Sequence, residues 1–156
     1  MAGVVVVAGV ALGGCGRNDF EDRTAKVTID SRTTTYQLAS CGLDGSTLFV
    51  VGRSDEGAVL QAVVGLDDEQ AGVTESSGLT ISRPDDDGDL AAFGSESWDR
   101  RGEAGDPPGE IRRAALRGSR IQLSGRSIPV DGDGVPSANG ADVAFTLDAR
   151  CDDQAA

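Results

Sequence analysis

The chain has 156 residues, enough for a single domain, and its formal net charge of −12 is carried entirely after residue 14. An acidic protein repels phosphate backbones, so nucleic acid is not an expected partner. The sequence contains no histidine, the commonest general base and metal ligand, and we therefore expect no enzymatic activity, no metal site and no cofactor.

The first 14 residues form an apolar segment without an ionisable side chain. The segment is shorter than the ~20 residues that a membrane-spanning helix needs, and it matches the apolar region of a signal peptide. A signal peptide also begins with Lys or Arg, which this segment lacks, so we expect the true translation start to lie upstream. The alternative interpretation is a buried strand at Val4–Val7.

The segment ends in Leu12-Gly13-Gly14-Cys15, which has the form of a bacterial lipobox. Small residues beside the cleavage site fit the pocket of a signal peptidase, and the thiol of Cys15 is the expected site of diacylglycerol and palmitate attachment. Residues 15–24 then form the lipidated cysteine and a short polar spacer. This arrangement predicts a protein that is lipid-anchored on the extracytoplasmic face of the cell membrane.

Two further cysteines, Cys41 and Cys151, remain as an even pair after lipidation of Cys15. Because an exported domain lies in an oxidising setting, we expect them to form a disulfide. The alternative is two free, buried thiols.

Residues 25–152 form the predicted β-domain, and residues 153–156 are a tail. Alternating residues predict a hairpin of Lys26–Asp30 and Thr33–Leu38, with a turn at Ser31-Arg32, that ends before Cys41. The apolar run Leu48–Val51 predicts a strand buried on both faces.

The segment Ala58–Leu66 fits either a strand or a short helix, and its valines favour the strand. Leu79–Ser82 and Asp89–Phe93 predict a second hairpin around an acidic turn. Gly94–Gly109 is rich in glycine, proline and charge and predicts a long surface loop. This loop contains Trp98, either an anchor on a neighbouring strand or a lid residue.

The next predicted hairpin joins Ile111–Leu116 to Ser119–Ser124. Val130 has the opposite parity to Leu123, and a bulge near Gly125 would restore the inward phase.

The last strand alternates from Val143 to Ala149 and places Cys151 on the inward side. The sequence therefore predicts a mainly β domain, a small antiparallel sandwich or a partly open barrel closed by one disulfide, preceded by the lipoprotein signal segment.

Three acidic motifs have residue types that occur in metal and catalytic sites. Asp85–Asp89 has its glycine in the wrong place for an EF-hand loop, so it predicts a solvated turn. Asp131–Gly134 likewise predicts a turn. The pair Asp67-Asp68 could serve acid–base chemistry, but its spacing alone does not favour that role.

Several segments together resemble the mycobacterial 19 kDa lipoprotein antigen (LpqH) family. They are the lipobox cysteine, Lys26–Asp30, Cys41, Leu48–Gly52, the hairpin Arg117–Gly125 and the closing strand Val143–Cys151. Unlike family members, this chain lacks a long Thr/Ser/Ala-rich spacer after the lipid cysteine.

The resemblance implies a non-enzymatic, membrane-anchored actinobacterial surface antigen. Its expected partners are the membrane and either a host receptor or an envelope protein. The alternative function is a carrier lipoprotein that binds a lipid or a small apolar ligand between the sheet and its loops.

Overall fold

The computed structural model describes residues 23–69, 72–82, 88–103 and 105–151. Within these ranges the chain is mainly β, as predicted. The strands are β1 (Thr24–Ile29), β2 (Arg32–Asp44), β3 (Thr47–Arg53), β4 (Val59–Gly65), β5 (Gly78–Ser82), β6 (Asp89–Phe93), β7 (Glu110–Arg117), β8 (Arg120–Val130) and β9 (Val143–Arg150). One short helix, α1 (Ser95–Arg100), lies between β6 and β7.

Eight of the strands close an antiparallel barrel. Strands β1 to β6 pair in sequence order, β6 then pairs with β8, and β9 joins β8 back to β1. The β6–β8 pairing closes the ring, so the barrel alternative is confirmed over the sandwich. The ninth strand, β7, lies outside the ring and pairs with β8.

Strand β8 is long because the same edge of it pairs with two other strands, one after the other. Its first part pairs with β7 up to Arg126, and its last three residues, from Ile128, pair with β6. Gly125 lies at this fork, where a Cβ atom would collide with the backbone carbonyl of Glu110. Only glycine therefore lets β7 approach β8 so closely.

The barrel interior is filled by side chains that alternate along the strands. Leu48 and Val50 are buried, whereas Phe49 and Val51 on the outer face are only partly buried. The prediction of a strand buried on both faces is wrong here, because β3 belongs to a barrel with one solvent-facing side. The largest interior side chains include Val27, Leu48, Val50, Leu60, Val64, Leu79, Ile81, Leu90, Ile121, Phe145 and Leu147.

The first hairpin has a tight turn at Asp30 and Ser31, whose φ angles of 47° and 67° are both left-handed. A two-residue turn of this hand matches the twist of the flanking strands. Strand β2 does not end before Cys41 as predicted, since a register shift between Leu38 and Ser40 lets it continue beside β3 to Asp44.

The strand and the hairpin predicted in the middle of the chain are confirmed. Ala58–Leu66 contains strand β4 rather than a helix, and β5 and β6 form an antiparallel pair. Most of the acidic turn between β5 and β6 lies outside the described residues.

The predicted bulge near Gly125 is wrong as a description of β8. The β8–β9 register runs without a shift from Arg120 to Ser127, and the register shift lies in β7, between Ile111 and Arg113. The opposite parity of Val130 is real, because this side chain packs in a second apolar cluster, separate from the barrel core.

Candidate functional site

The proposed lipidation site, Cys15, lies outside the described residues. The described chain starts at Arg23 and enters the barrel at Thr24, which pairs with Gln37 on one side and Arg150 on the other. Among the residues that the structure describes, no helix is long and apolar enough to cross a membrane.

The predicted disulfide between Cys41 and Cys151 is confirmed, with Cα atoms 5.3 Å apart. Strand β1 lies between β2 and β9 and begins at Thr24, beside Gln37 and Arg150. On the N-terminal side of Thr24, β1 no longer separates β2 from the end of β9, and the disulfide joins β2 to the end of β9 across this gap. Cys151 is buried and packs with the barrel core, as its inward parity predicted.

The segment that leads into β1 is held at the same gap. The backbone N–H of Leu38 donates to the carbonyl of Arg23 at 2.8 Å. The guanidinium of Arg23 donates to the carbonyl of Ala39 at 3.2 Å. The backbone N–H of Cys151 donates to the carbonyl of Ser119 in the β7–β8 turn at 2.8 Å. The disulfide thus fixes the end of the barrel at which the chain arrives from its N-terminus.

A second apolar cluster lies on the outer face of the barrel. We call it the satellite cluster, and it consists of Ala91, Phe93, Trp98 and Val130. Trp98 is 1% exposed and its ring centroid lies 5.7 Å from that of Phe93. Of the two roles considered for Trp98, the strand anchor is therefore observed, and α1 sits where the sequence predicted an irregular loop.

Helix α1 is attached to the β4–β5 connection through Glu75. The carboxylate of Glu75 accepts hydrogen bonds from the backbone N–H of Ser95 at 3.0 Å and from its hydroxyl at 2.8 Å. These two bonds, the backbone one first, lower the pKa of Glu75 below its usual value. They also satisfy one of the free N–H groups at the start of the helix.

A groove of about 320 Å³ runs between α1 and the outer face of β4 and β5. Its floor is one row across three strands, in which Val63 pairs with Gly78 and Gly78 pairs with Phe93. A Cβ atom at Gly78 would lie 2.7 Å from Cδ1 of Phe93, so the missing side chain is what lets the ring lie over β5. Val63 remains 49% exposed.

The wall of this groove carries two guanidinium groups. Arg101 lies over the Phe93 ring, 5.1 Å from its centroid, and Arg100 makes a 3.8 Å ion pair with Glu96 in which both side chains are largely exposed. An apolar floor beside two cations suits a ligand with an apolar body and an anionic end.

The two acidic motifs within the described residues, Asp67-Asp68 and Asp131–Gly134, do not form a common metal site. The carboxylate of Asp131 accepts hydrogen bonds from the backbone N–H groups of Asp133 at 3.0 Å and Val135 at 2.9 Å, so this segment is a turn, as predicted. Asp67 and Asp68 are exposed in the β4–β5 connection, and Asp85 to Asp87 lie outside the described residues. Within the described part of the chain, no three acidic or cysteine side chains form a group that could hold a metal ion.

The sequence did not predict the groove, although one signal for it was present. Trp98 is followed by Arg100 and Arg101, and a tryptophan close to two arginines is a combination that often marks a binding surface. The pairing of Val63 with Gly78 depends on strand register, which the local sequence does not specify.

No family model matches the sequence, and a search of curated proteins finds no significant match.

Proposed function

We propose that this chain is an exported lipoprotein that is anchored in the cell membrane through acylated Cys15 and that acts without catalysis as a surface or envelope interaction protein. The main support is the Cys41–Cys151 disulfide, because a cross-link of this kind belongs to an oxidising compartment. It leaves Cys15, in its lipobox, as the remaining thiol. The resemblance to LpqH lipoproteins is consistent with the same anchor.

The interaction role rests on the distribution of polar and apolar side chains. The barrel interior is filled by the protein's own core, whereas the outer face carries a groove with Val63 and Phe93 on its floor and two arginines in its wall. Binding at the outer face therefore needs no opening of the barrel. A host receptor or an envelope protein is the partner class that fits an anchored, outward-facing domain.

The anchor is tested by metabolic labelling with an alkyne fatty acid in an actinobacterial host, followed by detergent phase partition. The wild-type protein should carry the label and enter the detergent phase, whereas Cys15→Ala should do neither. The variant with both Cys41→Ser and Cys151→Ser retains Cys15 and serves as the matched control that keeps the label. An unlabelled wild-type protein would refute the proposal.

A second candidate function is a carrier of lipid or of another small amphiphile, and the groove beside α1 is the observation that favours it. A ligand chain would lie on Val63 and Phe93 with its anionic group near Arg101. This differs from a carrier that holds its ligand in the barrel interior.

The carrier function is tested by titrating the protein with the fluorescent fatty acid cis-parinaric acid. Val63→Glu puts a negative charge on the groove floor and should weaken binding at least ten-fold, the effect of about 1.4 kcal/mol. Val135→Glu is the matched control, because Val135 is 46% exposed and does not line the groove. Equal binding by both variants, or no binding by the wild type, excludes this site.

A further inference from the structure

Cationic side chains are concentrated on one outer face of this acidic protein. Six cationic side chains lie on the outer face of the four neighbouring strands β7, β8, β9 and β1. We call this surface the basic face, and its cations are Lys26, Arg113, Arg117, Arg120, Arg126 and Arg150. Among the described residues, three carboxylates lie beside them, those of Glu110, Asp142 and Asp148. The whole chain has 14 cationic and 26 acidic residues, so this face has the opposite sign to the molecule.

The inward parity of the same strands shows that these cations share one face. Ile121, Leu147 and Ala149 are buried in the barrel core, so their chain neighbours at alternate positions point outward. Directly paired residues of antiparallel strands lie on the same side of the sheet.

Three arginines of the basic face are direct neighbours. Arg117 pairs with Arg120, and Arg120 pairs with Arg150. Like charges opposite one another in a sheet are destabilising. Asp148 offsets part of this repulsion through hydrogen bonds from Arg120, one of them 2.7 Å long from Nε. Within the described residues, neither Arg113 nor Arg117 forms an ion pair.

The same row continues to the point where the chain joins the barrel. Arg150 pairs with Thr24, the first residue of β1, so the arginines lie beside the residue at which the described chain enters the barrel. Only eight residues separate Cys15 from Thr24. At full extension they span roughly 30 Å, so an acylated Cys15 would keep this face close to the lipid headgroups.

We propose that the basic face is a docking surface for anionic lipid headgroups, which holds the barrel on the membrane with β7, β8, β9 and β1 facing the bilayer. The orientation rests on the proposed acylation of Cys15, whereas the affinity for anionic headgroups does not. Salt screens the repulsion from acidic side chains that lie more than about 10 Å away at 0.1 M ionic strength.

The proposal is tested with the full chain carrying Cys15→Ser, so that no acyl chain contributes to binding. The protein is sedimented with vesicles of phosphatidylcholine, with or without one-third phosphatidylglycerol, at about 0.1 M NaCl. We expect binding to the anionic vesicles alone, and we expect 0.5 M NaCl to abolish it. Each cation near an anionic surface contributes roughly five-fold to the partition coefficient, so Arg113→Gln with Arg117→Gln should reduce it about 25-fold.

The matched control removes the same charge from two other strands, by Arg32→Gln with Arg53→Gln, and should change the partition coefficient less than three-fold. Equal sedimentation with both kinds of vesicle, none with either, or equal losses in the two double variants would overturn the docking surface. A chain that binds anionic vesicles but takes no fatty-acid label would refute the anchor and leave the docking surface standing. A chain that takes the fatty-acid label as wild type but does not bind anionic vesicles as Cys15→Ser would refute the docking surface and leave the anchor standing.

Discussion

Cys41 and Cys151 are joined across the gap that β2 and β9 leave where β1 begins. The disulfide therefore cross-links the ring at the end where β1 does not extend between β2 and β9. Strands β3 to β9 lie within this single loop, which has a sequence separation of 110 residues.

Removal of the disulfide should lower the free energy of unfolding. For a loop of 110 residues, chain entropy gives about 4–5 kcal/mol. Urea unfolding of the Cys41→Ser, Cys151→Ser double variant measures this loss, with Cys15→Ser as the control that keeps the cross-link. Thiol titration in denaturant without reductant should find neither Cys41 nor Cys151 reactive in the wild type. Equal unfolding free energies in variant and control would contradict the stabilising role.

Trp98 should act as the anchor of α1 on the barrel. Trp98→Ala removes a buried ring from the satellite cluster and should cost about 3–5 kcal/mol. Trp98→Phe should cost much less, because the indole N–H is buried without a hydrogen-bond partner and its loss frees the site of an unsatisfied donor. Thermal unfolding of both variants checks the order. The wild-type fluorescence should also show the blue-shifted emission of a buried indole, since Trp98 is the only tryptophan.

Gly78 should tolerate no side chain without movement of the Phe93 ring. In Gly78→Ala the new Cβ atom would lie 2.7 and 2.8 Å from two ring carbons, and overpacking of this kind costs about 1–3 kcal/mol. Gly132→Ala is the control, because a Cβ atom there has no neighbour within 4 Å. A midpoint of chemical unfolding unchanged in Gly78→Ala would show that the groove floor is looser than the contact distances imply.

Replacement of Ser31 by glycine should stabilise the fold. Its φ of 67° places an L-residue in the left-handed region, where a β-hairpin turn favours Asn or Gly. Ser31→Gly relieves the left-handed conformation, worth roughly 1–2 kcal/mol, and adds the entropy cost of glycine, roughly 0.5–1 kcal/mol. The free energy of unfolding should therefore rise by roughly 0.5–1 kcal/mol. Ser46→Gly, in the β2–β3 turn, is the matched control and should not stabilise the fold. The comparison is made by urea unfolding at constant temperature.

Acid should destabilise the fold through two carboxylates. The pKa of Glu75 lies below its usual 4.5 because of the Ser95 hydrogen bonds. Partial burial raises the pKa of Asp148, but hydrogen bonds from Arg120 and Gln122 and the charges of Arg120 and Lys26 outweigh it and keep the pKa below 3.8. A carboxyl with a depressed folded-state pKa stabilises the protein above its unfolded pKa, and this stability is lost as pH falls through the folded value.

The loss should therefore begin near pH 4.5 and continue below 3.8. Urea unfolding at pH values from 7 to 2 measures it. Glu75→Gln and Asp148→Asn should each flatten the curve in this window, whereas Glu56→Gln, in an exposed turn, is the control. A slope that persists in the double variant would assign the acid sensitivity to other carboxylates.

The strands were predictable because most of them are buried on one face only. The alternation of Phe145, Leu147 and Ala149 with polar residues marked β9 directly. The disulfide was predicted from the two cysteines that remain once Cys15 is assigned to lipidation, and it was confirmed. Ring closure was not predictable, because β6 and β8 are separated by α1 and β7, and the local sequence does not encode such a distant pairing.

Other predictions from the sequence failed because some apolar side chains pack in the satellite cluster instead of the barrel core. Val130 and Phe93 are apolar and point away from the barrel, so a single inward phase could not account for them. Helix α1 has only six residues, too few for a helical repeat to show in the sequence. The groove depends on Gly78 lying between Val63 and Phe93, and this juxtaposition exists only once the register is set.

The central position of β1 also determines how the protein would respond to mechanical load. All six residues of β1 pair with β2 on one edge and with β9 on the other. A pull on the N-terminal end acts along the strand, so the hydrogen bonds on both edges bear the force together instead of opening one after another. The barrel should consequently resist extraction by tension much better than a protein whose tethered strand lies at a sheet edge.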